Sequence, residues 1–177
     1  MVRISQARLQ NFLATAHTAT STREQGQALE NLVAYMFGKI PGVSITSKDT
    51  MNDFHTEEID VAFWNEKETH GVHFLPHIIL VECKNWNRPA SSIEVNWFDT
   101  KLKHRGLSCG VLVALNGITG EPADLTAAHS IIAASLLEQR TIIVIKSEDI
   151  NAITDTAQLV KLFKEKLCQL AVSGTAI

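Results

Sequence analysis

Cysteine, positive charge and long apolar runs are all scarce in this sequence, and each shortage excludes a class of protein. The three cysteines, Cys83, Cys109 and Cys168, are scattered, odd in number and never spaced C-x-x-C. That excludes a disulfide framework and a cysteine zinc site and makes a reducing cytoplasm the expected compartment. Lys and Arg number 16 against 19 Asp and Glu, for a net charge of -3. No basic field covers such a molecule, so any surface that binds a polyanion has to be local. No stretch reaches the roughly 18 apolar residues of a membrane span. The opening MVRISQARLQNFLATAH lacks the uninterrupted apolar centre of a signal peptide. Neither secretion nor membrane insertion is expected. Repeats, low-complexity tracts and linkers are also missing, and 177 residues with 45% hydrophobic content suit a single domain over 1–177.

What is present reads as alternating helices and strands. An N-terminal helix is expected over about 2–17. From Glu24 to Phe37 the apolar residues Ala28, Leu29, Leu32, Val33, Met36 and Phe37 recur at helical spacing until Gly38 and Pro41-Gly42 end the run. VSIT, EEIDVAFW and HIILVECK read as strands, and SSIEVNWFDTKLKHRG as a helix opened by Ser91 or Ser92. CGVLVAL and TIIVIK are unbroken β-branched runs of the kind covered on both faces, with the helical ADLTAAHSIIAASLLEQR between them. A core over about 24–146 is followed by an amphipathic helix over about 155–171. This order implies an α/β (α+β) fold with a mixed central β-sheet flanked by helices.

The chemistry gathers where IILVECKNW turns from apolar to charged. Residues i and i+2 of a strand share a face, so Glu82 and Lys84 project together at the end of the strand. A hairpin folded about Gly71 sets Asp60 directly across from Glu82; Glu58 and Glu57 replace it if the register slips. Opposed residues on one face have Cβ atoms roughly 4.5–5.5 Å apart, which repels two anions unless a cation lies between them. Oxygen donors on a small hard site suit Mg2+ or Mn2+.

Asp60, then Glu82-Cys83-Lys84 closing the next strand, preceded by a helix carrying GQALENL, resembles the PD-(D/E)XK nuclease superfamily and, within it, the Mrr-type restriction endonucleases. The resemblance spans about Gln25 to Gly120. It includes Gly26 to Glu30, the ECKNW strand end, and IEVNWFDTKL followed by GVLVALNGITG. It implies a restriction-endonuclease-like core and Mg2+- or Mn2+-dependent hydrolysis of DNA. Asp60, Glu82, the backbone carbonyl of Cys83 and Glu30 would hold the ion, and Lys84 would orient the attacking water and offset charge on the phosphate. The sequence departs from the pattern at Ile59, where a proline often stands, and in lacking a glutamine on the following helix, for which Asn96 is the nearest amide.

Lys84, Arg88, Lys101, Lys103 and Arg105 outnumber Glu94 and Asp99 in a net acidic chain, and with Asn96 they form the expected phosphate track. His70, His73 and His77 read as loop histidines in preference to a zinc site, because a fourth ligand is missing. Trp86, Trp97 and Phe98 offer stacking faces, but Trp97 and Phe98 on an amphipathic helix read first as core. NGITG is a turn and lacks the lysine of a phosphate loop. Two functions stand: a metal-dependent DNA endonuclease, with defence against foreign DNA implied only by the resemblance, or a non-catalytic nucleic-acid-binding or assembly module. RNA or branched DNA would be cut by the same chemistry. With no residues left over for a recognition domain, a homodimer or a partner supplying specificity is expected. Leu159, Leu162, Phe163, Leu167 and Leu170 offer a stripe for either such an interface or the domain's own sheet.

Overall fold

A computed structural model describes residues 1–51, 58–85, 87–120 and 127–174. Glu57, Trp86 and the residues of the expected fourth helix before Ala127 lie outside them. Among the described residues five strands form one sheet in sequence order: β1 (Val43–Met51), β2 (Glu58–Asn65), β3 (Ile78–Lys84), β4 (Cys109–Ala114) and β5 (Thr141–Ile145). β1, β2 and β3 run antiparallel, while β3, β4 and β5 run parallel. The mixed sheet is therefore the one expected, with β3 as the seam between its two halves.

The helices are α1 (Gln6–Thr18), α2 (Thr22–Phe37), α3 (Ser92–His104), α4 (Ala127–Leu137), α5 (Ser147–Ala152) and α6 (Thr156–Ser173). Side chains cap several of them, Ser91 among them as the sequence suggests. The Ser21 hydroxyl accepts from the Glu24 amide, and Ser91 and Glu94 cap α3 reciprocally. Asp155 accepts from the Ala157 and Gln158 amides. α1 starts at Gln6, later than expected, because Val2 and Ile4 instead pair with Thr156 and Thr154 beside the start of α6. α5 was not expected, being too short for a periodic signal.

One face of the sheet packs on α2 and α6, where the Phe37 ring meets those of Phe63 and Phe163 at 5.3 and 5.4 Å. Leu159, Phe163 and Leu170 are buried in this core, with Leu162 and Leu167 partly buried against it. The α6 stripe is thus taken up by its own domain. The opposite face carries α3 and α4. Phe98 is buried there, whereas Trp97 is 58% exposed. Neighbouring residues on a helix point about 100° apart, so both rings cannot face the sheet.

α3 sits close to β4. A Cβ placed on Gly110 would lie 2.6 Å from Phe98 Cζ and 2.8 and 2.9 Å from the Leu102 methyls. Replacing Gly110 with Ala is expected to cost about 1–3 kcal/mol through overpacking, read as a lower urea midpoint with an unchanged slope.

α3 is tied to α4 and β5 by a half-buried polar cluster. Asp99 Oδ1 accepts from the Ser135 hydroxyl at 2.7 Å and from Arg140 Nε at 2.9 Å, and Oδ2 accepts from Arg140 Nη2 at 3.0 Å. Burial works against the Asp99 carboxylate, but hydrogen bonds from Arg140 and Ser135 and the Arg140 charge outweigh it and hold its pKa below the ordinary range. A carboxylate with a lowered folded pKa stabilises fully above its unfolded value of about 3.9 and loses that contribution as pH falls through the folded one. Asp99→Asn should therefore be clearly less stable than wild type at pH 7, and the gap should narrow in chemical denaturation near pH 3.

Candidate active site

The β2–β3 ladder pairs Val61 with Val81, Ala62 with Leu80, Phe63 with Ile79 and Trp64 with Ile78, in the register that a fold about Gly71 gives. Asn65 fixes that register at the loop end. It is fully buried, its Nδ2 shares two hydrogens among the carbonyls of Val72, Leu75 and Pro76 at 2.9–3.2 Å, and its Oδ1 accepts from the Lys67 amide at 3.0 Å. Gly71 is required by close approach, since a Cβ there would meet the Pro41 carbonyl oxygen at 2.2 Å. His77 stacks on Trp64 with Nδ1 2.8 Å from the Asn65 carbonyl, and His73 meets Phe74 edge-on.

At the other end the ladder stops at Val61–Val81, one residue short of Asp60 and Glu82. The Asp60 carboxylate enters the gap, and its Oδ2 accepts from the Cys83 amide at 2.6 Å. On its far side β3 stays paired through Lys84, opposite Ala114 of β4. The strand end is also held from the α2 side, where Asn85 Nδ2 donates to the Ala16 and Gln25 carbonyls at 2.6 and 3.1 Å.

Glu82 is 6% exposed and has an ammonium on each oxygen: Lys84 Nζ on Oε1 at 2.7 Å and Lys101 Nζ on Oε2 at 2.6 Å. Lys101 also donates to the Glu58 carbonyl at 2.9 Å. It was expected on the phosphate track but lies buried against Glu82. The signal was its place between Phe98 and Leu102, on the side of α3 that faces the sheet. Of the other track residues, Asn96 is exposed, Arg88 meets Glu94 at 3.3 Å and Lys103 meets Glu138 at 3.4 Å. Arg105 donates to the Lys101 carbonyl at 3.1 Å.

Glu30 enters from α2. Its Oε2 is buried without a hydrogen-bond partner and lies 3.7 Å from Lys48 Nζ. Beside it is Asp49, which sequence reasoning missed. Asp49 stands on β1 between Lys48 and Thr50, which pair with Val61 and Ile59 of β2, and its φ of 49° lies in the left-handed region. Asx residues enter that region more readily than most others do. No apolar alternation in SKDTM marked this stretch as strand.

Four carboxyl groups from α2, β1, β2 and β3 thus crowd one end of the sheet, and their ionisation reflects it. Burial, then the Glu82 charge, push Asp60 up to about 6 against the Cys83 hydrogen bond and the Lys101 and Lys84 charges. Burial, then a hydrogen bond and charge from Asp49 and the charge of Asp60, push Glu30 up to about 8. Burial disfavours the Lys84 ammonium, but Glu82 and Asp60 outweigh it and raise its pKa. Burial and the surrounding acids push the Cys83 thiol well up, so it is no nucleophile.

Among the described residues no three His, Cys, Asp or Glu side chains form a ready metal cage. The Glu82 oxygens are held by lysines, and Asp60 is engaged by an amide. The donor set nevertheless fits a hard divalent ion, being all oxygen, mutually repelling and provided with a buried oxygen on Glu30 that has no hydrogen-bond partner.

A mixed α/β sheet with acids and a lysine at the end of its central strand defines a restriction-endonuclease-like core. A family model described as restriction endonuclease, that of the Mrr catalytic domain, matches residues 22–151, beyond the expected span and through β5. The chain belongs to this family, within the Mrr-like branch of the PD-(D/E)XK nuclease superfamily. No curated protein matches it. Among the described residues no helix is long and apolar enough to cross a membrane.

The two acids should respond oppositely to neutralisation in the metal-free protein. Asp60 has a folded pKa of about 6, above its unfolded one, so its ionisation opposes folding at neutral pH, and stability rises as pH falls through about 6 toward the unfolded value of about 3.9. Asp60→Asn should melt higher than wild type at pH 7.5 and keep only the part of the rise that Glu30 contributes. Glu82→Gln should melt lower, since it removes the carboxylate that pairs directly with the Lys84 and Lys101 ammoniums, a loss of about 3–5 kcal/mol. Thermal melts in EDTA across pH 5–8 check both signs.

Proposed function

We propose that the chain is a divalent-metal-dependent endonuclease that hydrolyses phosphodiester bonds of DNA. The observation that carries this is the opened ladder, which brings Asp60 and Glu82 to one strand end with the Lys84 ammonium 2.7 Å from Glu82. Asp60, Glu82, the Cys83 carbonyl and Glu30 would hold Mg2+ or Mn2+. Such an ion, when bound, supplies a Lewis acid and a more acidic water. The chain's own groups do the rest. Asp60 is kept in place by the Cys83 amide, and the raised pKa of Lys84 keeps it an ammonium at neutral pH. There it can orient the attacking water and neutralise charge building on the phosphate.

Arg88, Asn96, Lys103 and Arg105 would meet the DNA backbone. Arg88 and Lys103 each have an acid nearby, so their worth toward DNA depends on exchanging Glu94 and Glu138 for phosphate. Cutting both strands from one site calls for a homodimer, two visits, or a partner that supplies specificity. The free thiols at Cys83, Cys109 and Cys168 suit the cytoplasm. Defence against foreign DNA is the role the family suggests.

Incubation with supercoiled and linear DNA should give cleavage with Mg2+ or Mn2+ and none with EDTA. Asp60→Asn, Glu82→Gln and Lys84→Ala should each lower the rate by at least about a hundredfold without unfolding the chain, whereas Glu30→Gln should mainly weaken uptake of Mn2+. Wild-type cleavage by Asp60→Asn would refute the assignment.

A further inference from the structure

Glu82 carries two ammoniums, and the site described so far has work for only one. The two are not equivalent. Lys84 stands at the end of its strand with its side chain 23% exposed. Lys101 projects from the last turn of α3 with its side chain 11% exposed, and its Nζ spans Glu82 Oε2 and the Glu58 carbonyl. That carbonyl belongs to β2, two residues before Asp60. Lys101 therefore links the two acid-bearing strands at the point where their ladder has opened, and its helix is fixed from behind by Asp99 and Arg140.

We propose that Lys101 is a positioning residue: the resident counter-cation of Glu82, which keeps Oε2 while Lys84 gives up Oε1. This rests on the reading of Asp60 and Glu82 as ligands of a divalent ion. A carboxylate this buried cannot lose both ammoniums without a large penalty. With Lys101 in place, Lys84 can leave for the phosphate and the carboxylate still keeps its charge, its rotamer and its distance from Asp60. The same positive charge repels a divalent cation. Lys101 thus weakens ion binding while supporting turnover, and those two effects separate it from a lysine that merely fills space. For a lysine that merely fills space, removal would leave Mn2+ affinity and turnover to move together or not at all.

The test is Mn2+ titration calorimetry without DNA on the full chain, beside single-turnover and steady-state cleavage. Lys101→Met should bind Mn2+ roughly three- to tenfold more tightly, because one repelling unit charge is gone. Its kcat should fall more than tenfold with KM for DNA unchanged. If wild type takes up no Mn2+, the ligand reading itself fails, and the role of Lys101 with it. If wild type binds and Lys101→Met binds equally or more weakly, only the Lys101 inference is overturned. Should Lys101→Met fail to fold, Lys101→Gln is the second variant, and wild type can also be read directly by lysine-selective NMR during Mg2+ titration. The Lys84 side-chain signals should move while those of Lys101 stay, and movement of Lys101 in place of Lys84 would overturn the proposal.

Discussion

A carboxylate at the buried end of a core strand has to be neutralised, and most of the architecture around β3 answers to that constraint. Glu82 is nearly inaccessible, and an isolated charge there would cost far more than the domain can spare. The fold supplies one ammonium from two residues along the strand and another from the helix packed over it. The helix can deliver Lys101 only because its neighbours Phe98 and Leu102 seat α3 against Gly110, where any side chain would hold it off.

The position of β3 explains why the charges collect there. It is antiparallel to β2 on one side and parallel to β4 on the other. The parallel side continues to the strand's end and keeps it rigid, while the antiparallel side releases before Asp60. The freed Cys83 amide is taken by a carboxylate in place of a backbone carbonyl. An ordinary ladder hydrogen bond has been exchanged for one that holds an acid in place, and two further acids from β1 and α2 complete a cluster in which burial and mutual repulsion raise the pKa values of Asp60 and Glu30.

Much of this was legible in the sequence, for identifiable reasons. Strands β4 and β5 are apolar runs without polar interruption, α3 starts on the Ser91 that its sequence offers, and Gly71 lies midway between Asp60 and Glu82, so the hairpin register follows from counting. What escaped notice lacked a periodic signal. The second half of β1 is polar because it is a sheet edge and needs no apolar alternation, which hid Lys48 and Asp49. Lys101 looks like one charge in a basic run, although its spacing from Phe98 and Leu102 puts it on the inward face. Trp97 failed the same geometric check in the opposite direction.

Asn65 sets a condition on the site from the far end of the hairpin. Strand side chains alternate between faces, so a slip of one residue between β2 and β3 would not merely displace Asp60 relative to Glu82 but send one of them through to the opposite side of the sheet. The cluster therefore has no half-formed version. A side-chain amide gathering three loop carbonyls, four ladder pairs away from the acids, works as a counting device: the length of the loop is what allows the two acids to meet at all.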